Sequence, residues 1–214
     1  MKVSMQREDV LGVPFYRFYY DEDKVPGILE SLQKLEYRDN STNEIWVGVD
    51  DSGEGGSDLY NYPDFADLFA WMQECMAEVA KDLNIPNKLV CNAAWSHRNK
   101  QHQFFYDHTH YNTMFSSNYY ASGVPEDKTQ WFYPNPYFHY TNLYPLGDYT
   151  EDKYMLNWME DTEPGKFIVF PPMIRHRAWA NTSPEDRITI AANWFPTGNI
   201  NASGVSHLKV DVIQ

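Results

Sequence analysis

The sequence predicts an α+β fold built on a double-stranded β-helix, or jelly roll, and three observations carry that prediction. Helical signals are confined to residues 1–87, short β-rich runs separated by Pro, Gly and Asn fill the chain from Lys88 onward, and 16% of residues are aromatic, more than a helical bundle needs. The reading is of a single domain over 1–214, with a helical N-terminal extension (1–87) and a jelly-roll core (88–214) that carries a loop-rich insert at 123–164.

Taken in order, Pro26 at a first helical turn followed by Ile28, Leu29, Leu32 and Leu35 predicts a short amphipathic helix that ends before Tyr37. An acidic, glycine-rich loop follows at 51–57. Pro63 then opens a longer helix, whose apolar positions Phe65, Leu68, Phe69, Met72, Met76, Val79 and Leu83 recur at three- and four-residue steps, the spacing of a helix packed on the outer face of a sheet. Strands are predicted over 89–96, 114–121, 166–170, 187–195 and 205–212. The insert is too rich in Tyr, Pro, Trp and Asn to be all strand. Its aromatic run at 131–138 reads equally as a lid facing a substrate or as rings that pack the loop onto the barrel.

Composition excludes some partners. A formal net charge of −13 argues against a nucleic-acid or anionic-membrane partner, whose phosphates need clustered Lys and Arg, and suits a small-molecule or protein side-chain substrate. Met1 to Val10 is polar and no long apolar run occurs, so a cytoplasmic protein without a membrane span is expected. A homodimer is compatible with the sequence. Cys75 and Cys91, one in a predicted helix and one in a strand, read as reduced core thiols.

Two short stretches concentrate the chemistry: Tyr106-Asp107-His108-Thr109-His110, and Phe170-Pro171-Pro172-Met173-Ile174-Arg175-His176 followed by Arg187-Ile188-Thr189. Alternate side chains of a strand share a face, so His108 and His110 project together, and His176 at the end of a buried strand is placed to complete one face of a mononuclear metal site. His97, His102, His139 and His207 lack that spacing and are assigned no ligand role. Asp107 is the nearest alternative ligand. Alternation turns it away from His108 and His110, which favours three histidines as ligands and leaves Asp107 to hold an imidazole from behind.

The order of these parts resembles the 2-oxoglutarate and Fe(II)-dependent oxygenases, and most of all a subgroup frequent in marine bacteria and their phages. The matching elements are His108-Thr109-His110, the strand Phe115-Ser116-Ser117-Asn118-Tyr119-Tyr120, the segment from Gly165 through Phe170-Pro171 to His176, and Glu185-Asp186-Arg187-Ile188-Thr189-Ile190. The likeness spans roughly residues 89 to 196. It implies the jelly-roll fold, Fe(II) held by His108, His110 and His176, and 2-oxoglutarate as co-substrate. The far carboxylate of the co-substrate would meet Arg187, with Thr189, Tyr120, Asn118 and Asn193 as further polar contacts. The chain departs from the usual pattern at His110, where the family normally has Asp or Glu. The rival readings are a non-enzymatic jelly-roll binding or virion-associated module, and a three-histidine dioxygenase that uses no keto acid.

Overall fold

The structure is a computed structural model that describes residues 4–10, 13–48, 57–132, 157–201 and 208–211. The glycine-rich loop at 51–57, apart from Ser57, and the centre of the predicted aromatic lid, 133–156, lie outside the described residues.

Two antiparallel sheets dominate. The larger has eight strands: β1 (Gln6–Val10), β2 (Val13–Tyr19), β3 (Arg38–Asn40), β4 (Asn43–Trp46), β5 (Leu89–Asn99), β7 (Phe115–Tyr120), β10 (Lys166–Phe170) and β12 (Arg187–Pro196), in the spatial order β1-β2-β10-β7-β12-β5-β4-β3. The smaller joins β6 (Phe105–His108), β8 (Lys128–Phe132), β9 (Asn157–Asp161) and β11 (His176–Ala178) in the order β6-β11-β8-β9. A short ribbon pairs β13 (Gly198–Ile200) with β14 (Leu208–Val210). This is the jelly-roll, α+β architecture that the sequence predicts.

The strict period of two in the large sheet divides its side chains between two cores. Tyr16, Phe18, Tyr119, Phe167, Val169, Ile188, Ile190, Ala192 and Trp194 point to one face and bury against the helices. Phe15, Tyr120, Ile168 and Phe170 point to the other, where Trp131 of β8 and Ile174 meet them. Helix α2 (Ala66–Asp82) buries Leu68, Phe69, Trp71, Met72, Cys75, Met76, Val79 and Ala80, the stripe its spacing predicts. Each fully buried Leu, Met or Val there contributes roughly 1.5–3 kcal/mol. Asp67 in its first turn and Lys81 in its last suit the helix dipole. Helix α1 (Val25–Gln33) carries Pro26 in its first turn, as expected, and stops about one turn before the predicted end.

The expectation of a helical N-terminal extension over 1–87 is corrected in one respect. Residues 1–87 supply four strands, β1 to β4, to both edges of the large sheet. The sequence of β2, Val-Pro-Phe-Tyr-Arg-Phe-Tyr, is buried on both faces, so it lacks the polar alternation that marks a half-exposed strand. The insert at 123–164 is corrected at its ends, since β8 and β9 are full members of the small sheet. The turn before β10 is as predicted: Gly165 adopts φ +86°, and its N–H donates to the Tyr120 carbonyl at 2.8 Å. Pro171 then ends the strand, and Ile174 N–H closes a turn on the Pro171 carbonyl at 3.1 Å. Among the described residues no helix is long and apolar enough to cross a membrane.

Candidate active site

The two sheets enclose a cavity lined by His97, Asn99, Phe105, His108, His110, Asn118, Tyr120, Thr129, His176, Ala178, Arg187, Thr189 and Ala191. His108 and His176 are direct partners across the β6–β11 pairing, with ring centroids 4.4 Å apart. His110 lies just past the end of β6 rather than on it, anchored by its N–H to the Pro172 carbonyl at 3.0 Å. Its ring is parallel to that of His176 within 8°, at 5.2 Å. The three residues offer nitrogen atoms that all lie within 4.8 Å of one another.

Every one of these imidazoles has Nδ1 against an oxygen. His108 Nδ1 lies 2.9 Å from the Tyr106 carbonyl, His176 Nδ1 lies 2.9 Å from the Ile174 carbonyl, and His110 Nδ1 lies 3.0 Å from Asn193 Oδ1. An Nδ1–H bound to an oxygen leaves the lone pair on Nε2, which is what a metal needs. His110 Nε2 is buried without a hydrogen-bond partner among the described residues. Burial also keeps the rings neutral: it pushes His176 well below the ordinary histidine range, lowers His108, and takes His110 to about 4, with the neighbouring histidines adding to the effect on His110 and His176. Aromatic rings fix the imidazole planes. Trp95 stacks on His110 at 5.7 Å, Phe105 meets His108 at 4.7 Å edge-on, and Trp131 and Phe170 flank His176 at 4.6 and 4.8 Å. Three neutral nitrogen donors on one face of a cavity fit a divalent transition metal.

Arg187 enters the same cavity from β12. It is 2% exposed; Nη2 donates to the Trp179 carbonyl at 2.6 Å, and Nη1 is buried with no partner among the described residues. Burial lowers its pKa, and the buried Asp127 carboxylate partly opposes that shift. A buried guanidinium with a free N–H calls for an anionic acceptor. Thr189, Tyr120 and Asn118 also line the cavity, and the Tyr120 hydroxyl is 2.9 Å from that of Thr129.

Two sequence expectations are placed differently. Asn193 is not at the cavity wall but behind His110. Asp107 does not hold an imidazole: its half-exposed carboxylate pairs with Arg175 at 3.3 Å, and the place behind the rings is taken by two backbone carbonyls and an amide. His97, assigned no role, lines the cavity. Trp95 Nε1 donates to its Nε2 at 2.8 Å, and Asn43 is 2.9 Å from its Nδ1, so both ring nitrogens are engaged. Asn99, Phe105 and Thr129 were also missed. The signal for His97 and Asn99 lay in strand pairing, since they sit opposite Thr189 and Arg187 on the neighbouring strand.

Comparison with known proteins fits this geometry. Residues 93–193 match the family described as "Putative 2OG-Fe(II) oxygenase". No curated protein matches the sequence. Among solved structures, HygX from Streptomyces hygroscopicus with nickel, 2-oxoglutarate and hygromycin B bound is 15% identical, with a TM-score of 0.59 over 86% of this chain and 83% of that one. The non-heme alpha-ketoglutarate-dependent epimerase SnoN from nogalamycin biosynthesis is 12% identical, with a TM-score of 0.61 over 94% and 86%. A Pseudomonas putida prolyl-4-hydroxylase is 12% identical, with a TM-score of 0.57 over 86% and 93%. At such identities the likeness establishes the fold. The family match covers 93–193, just under half of the chain, and spans every residue that lines the cavity, so it is in the part that carries the site that this chain is similar to the 2-oxoglutarate and Fe(II)-dependent oxygenases.

Proposed function

We propose that the chain is a hydroxylase-type oxygenase in which His108, His110 and His176 hold Fe(II) and Arg187 binds the far carboxylate of 2-oxoglutarate, with a small molecule or a protein side chain as substrate. The observation that carries this reading is that one cavity holds both the three converging neutral imidazoles and the Nη1 of Arg187, which has no partner among the described residues. Fe(II) bound there would supply oxygen activation and order the keto acid.

The rest is the work of this chain's own groups. Arg187 fixes one end of a dicarboxylate, and Asn99, 2% exposed with an Nδ2 that has no partner among the described residues, sits beside it as a second donor. The hydroxyls of Thr189, Thr129 and Tyr120 add neutral hydrogen-bonding capacity along the same wall. Charge count favours a dianion: three neutral histidines contribute none, buried Asp127 offsets Arg187, and a dicarboxylate balances a divalent metal. Trp131 and Phe170 cover the buried His176 ring, and Phe105 packs edge-on against His108.

The test is an anaerobic titration of apo-protein with Fe(II) and 2-oxoglutarate. A weak visible charge-transfer band that saturates at one equivalent of each is expected. Iron binding without the band would favour a dioxygenase that uses no keto acid, and no iron binding would favour a non-enzymatic module.

A further inference from the structure

The three histidines are not held alike. His108 and His176 present Nδ1 to backbone carbonyls, which only accept, so the proton of each ring is fixed on Nδ1. His110 faces the side-chain amide of Asn193, which carries an acceptor on one arm and a donor on the other. Presented oxygen first, the amide gives His110 the tautomer of its neighbours. Turned over, its NH2 would donate to Nδ1 and move the ring proton to Nε2, the atom that is buried without a partner among the described residues.

The local structure favours the first arrangement. Asn193 is 8% exposed and lies on β12 in regular register with β7, on the same side of the strand as Arg187, Thr189 and Ala191 and directly opposite Ser116 of β7. Ser116 Oγ, fully buried on the next strand, donates to the same Asn193 Oδ1 at 3.0 Å. Trp95 holds the His110 ring plane from the other side, 28° from parallel.

We infer that Asn193 is a positioning residue for the metal site: together with Ser116 it holds His110 in the Nδ1–H form, leaving Nε2 free as a ligand. The inference rests on the metal reading given above. It assigns Asn193 a place behind the ligand that stands where the family usually has a carboxylate.

The experiment compares wild type, Asn193→Asp, which keeps an acceptor, and Asn193→Leu, which removes it. Long-range proton–nitrogen correlation spectra of the metal-free, nitrogen-15 histidine-labelled protein read the tautomer, and Co(II) titration reads the site. His110 is expected to be Nδ1-protonated in wild type and Asn193→Asp, with Co(II) bound by the aspartate variant at least as tightly as by wild type. In Asn193→Leu the proton should spread over both nitrogens, and Co(II) affinity should fall roughly 10–100-fold. An unchanged tautomer with unchanged affinity in Asn193→Leu would overturn the inference, as would equal losses in both variants. If Asn193→Leu does not fold, Ser116→Ala frees the amide to rotate and should give the mixed tautomer with weaker Co(II) binding; wild-type behaviour there would overturn the inference too. Failure of wild type to bind Co(II) would sink the metal reading, while the metal-free spectra still decide the role of Asn193.

Discussion

Arg187 and Asn99 stand directly opposite each other across the β12–β5 ladder, and each carries a buried side-chain nitrogen without a partner among the described residues. Two orphan donors side by side in one cavity cost stability in the empty protein and repay it only when an acceptor arrives. Arg187→Ala is therefore expected to leave Fe(II) affinity nearly intact and to weaken 2-oxoglutarate binding by roughly 100-fold, about 3 kcal/mol, the value of a charge-assisted pair. Asn99→Ala should cost about 1 kcal/mol, the value of a neutral hydrogen bond. Anaerobic calorimetry separates the two ligands. Equal loss of metal and keto acid in Arg187→Ala would make Arg187 a structural residue.

A metal held by three protein ligands has no spare one, so His108→Ala and His176→Ala should each abolish stoichiometric Fe(II) binding. Elemental analysis after desalting is sufficient. Full occupancy in either variant would remove that residue from the site.

The parts of this molecule that were legible in its sequence are those where one periodicity governs. Helix α2 shows its three- and four-residue stripe because a single face is buried, and β12 shows its job because Arg187 and Thr189 share the cavity face of an otherwise apolar strand. β2 was missed because both faces are buried, and β11 because it has three residues, too few for any period to show. His97 and Asn99 are invisible locally: they matter through their partners on β12, and strand register is a long-range property. Strand alternation alone puts the His-x-His pair on one strand, yet β6 ends at His108 and His110 owes its place to the Pro172 carbonyl and Asn193, contacts made by distant segments.

Beside the cavity a second buried network holds the sheets together. Glu160 of β9 accepts from Arg17 through both carboxylate oxygens, at 3.0 and 2.6 Å, and from Lys166 at 2.9 Å. Lys166 is fully buried, and its ammonium lies 5.5 Å from the centre of the Tyr120 ring. Glu160→Ala strands two buried cations and is expected to cost about 3–5 kcal/mol in urea unfolding. A loss below about 1 kcal/mol would mean that Glu8 and Glu163, which also pair with Arg17 and Lys166, suffice.

The depressed histidines predict how the metal-free protein responds to acid. Burial puts His97 at about 3 and His110 at about 4 in the fold, with His108 and His176 also lowered, whereas in the unfolded chain they titrate near the ordinary value of 6.5. As pH falls through that value the unfolded state takes up protons that the folded state refuses, so stability is full above it and declines toward about 4. This loss begins above the range where Glu44 and Glu160, whose pKa values are lowered, give up their contribution. Urea midpoints should therefore hold level above about pH 7 and drop steadily between about pH 6.5 and 4.5, less steeply in His97→Gln. A flat midpoint over that span would show that these rings are not held neutral.

The position that departs from the family pattern can be tested from both sides. Asp107 pairs with Arg175 at a half-exposed site, an interaction worth about 0–1 kcal/mol, so Asp107→Asn should keep both Fe(II) and stability. His110 lies among Trp95, Asn193 and His176, and His110→Ala, which also removes one of three ligands, should abolish stoichiometric metal binding while leaving the fold intact. His110→Asp puts a carboxylate where the family normally has one; iron binding should survive, and 2-oxoglutarate turnover, read as succinate formed, should rise because the added negative charge stabilises a divalent metal that three neutral imidazoles hold less firmly. If Asp107→Asn lost iron while His110→Ala kept it, the third ligand would be the aspartate, and β6 would have to turn over at Asp107, breaking its ion pair with Arg175, to bring that carboxylate inside.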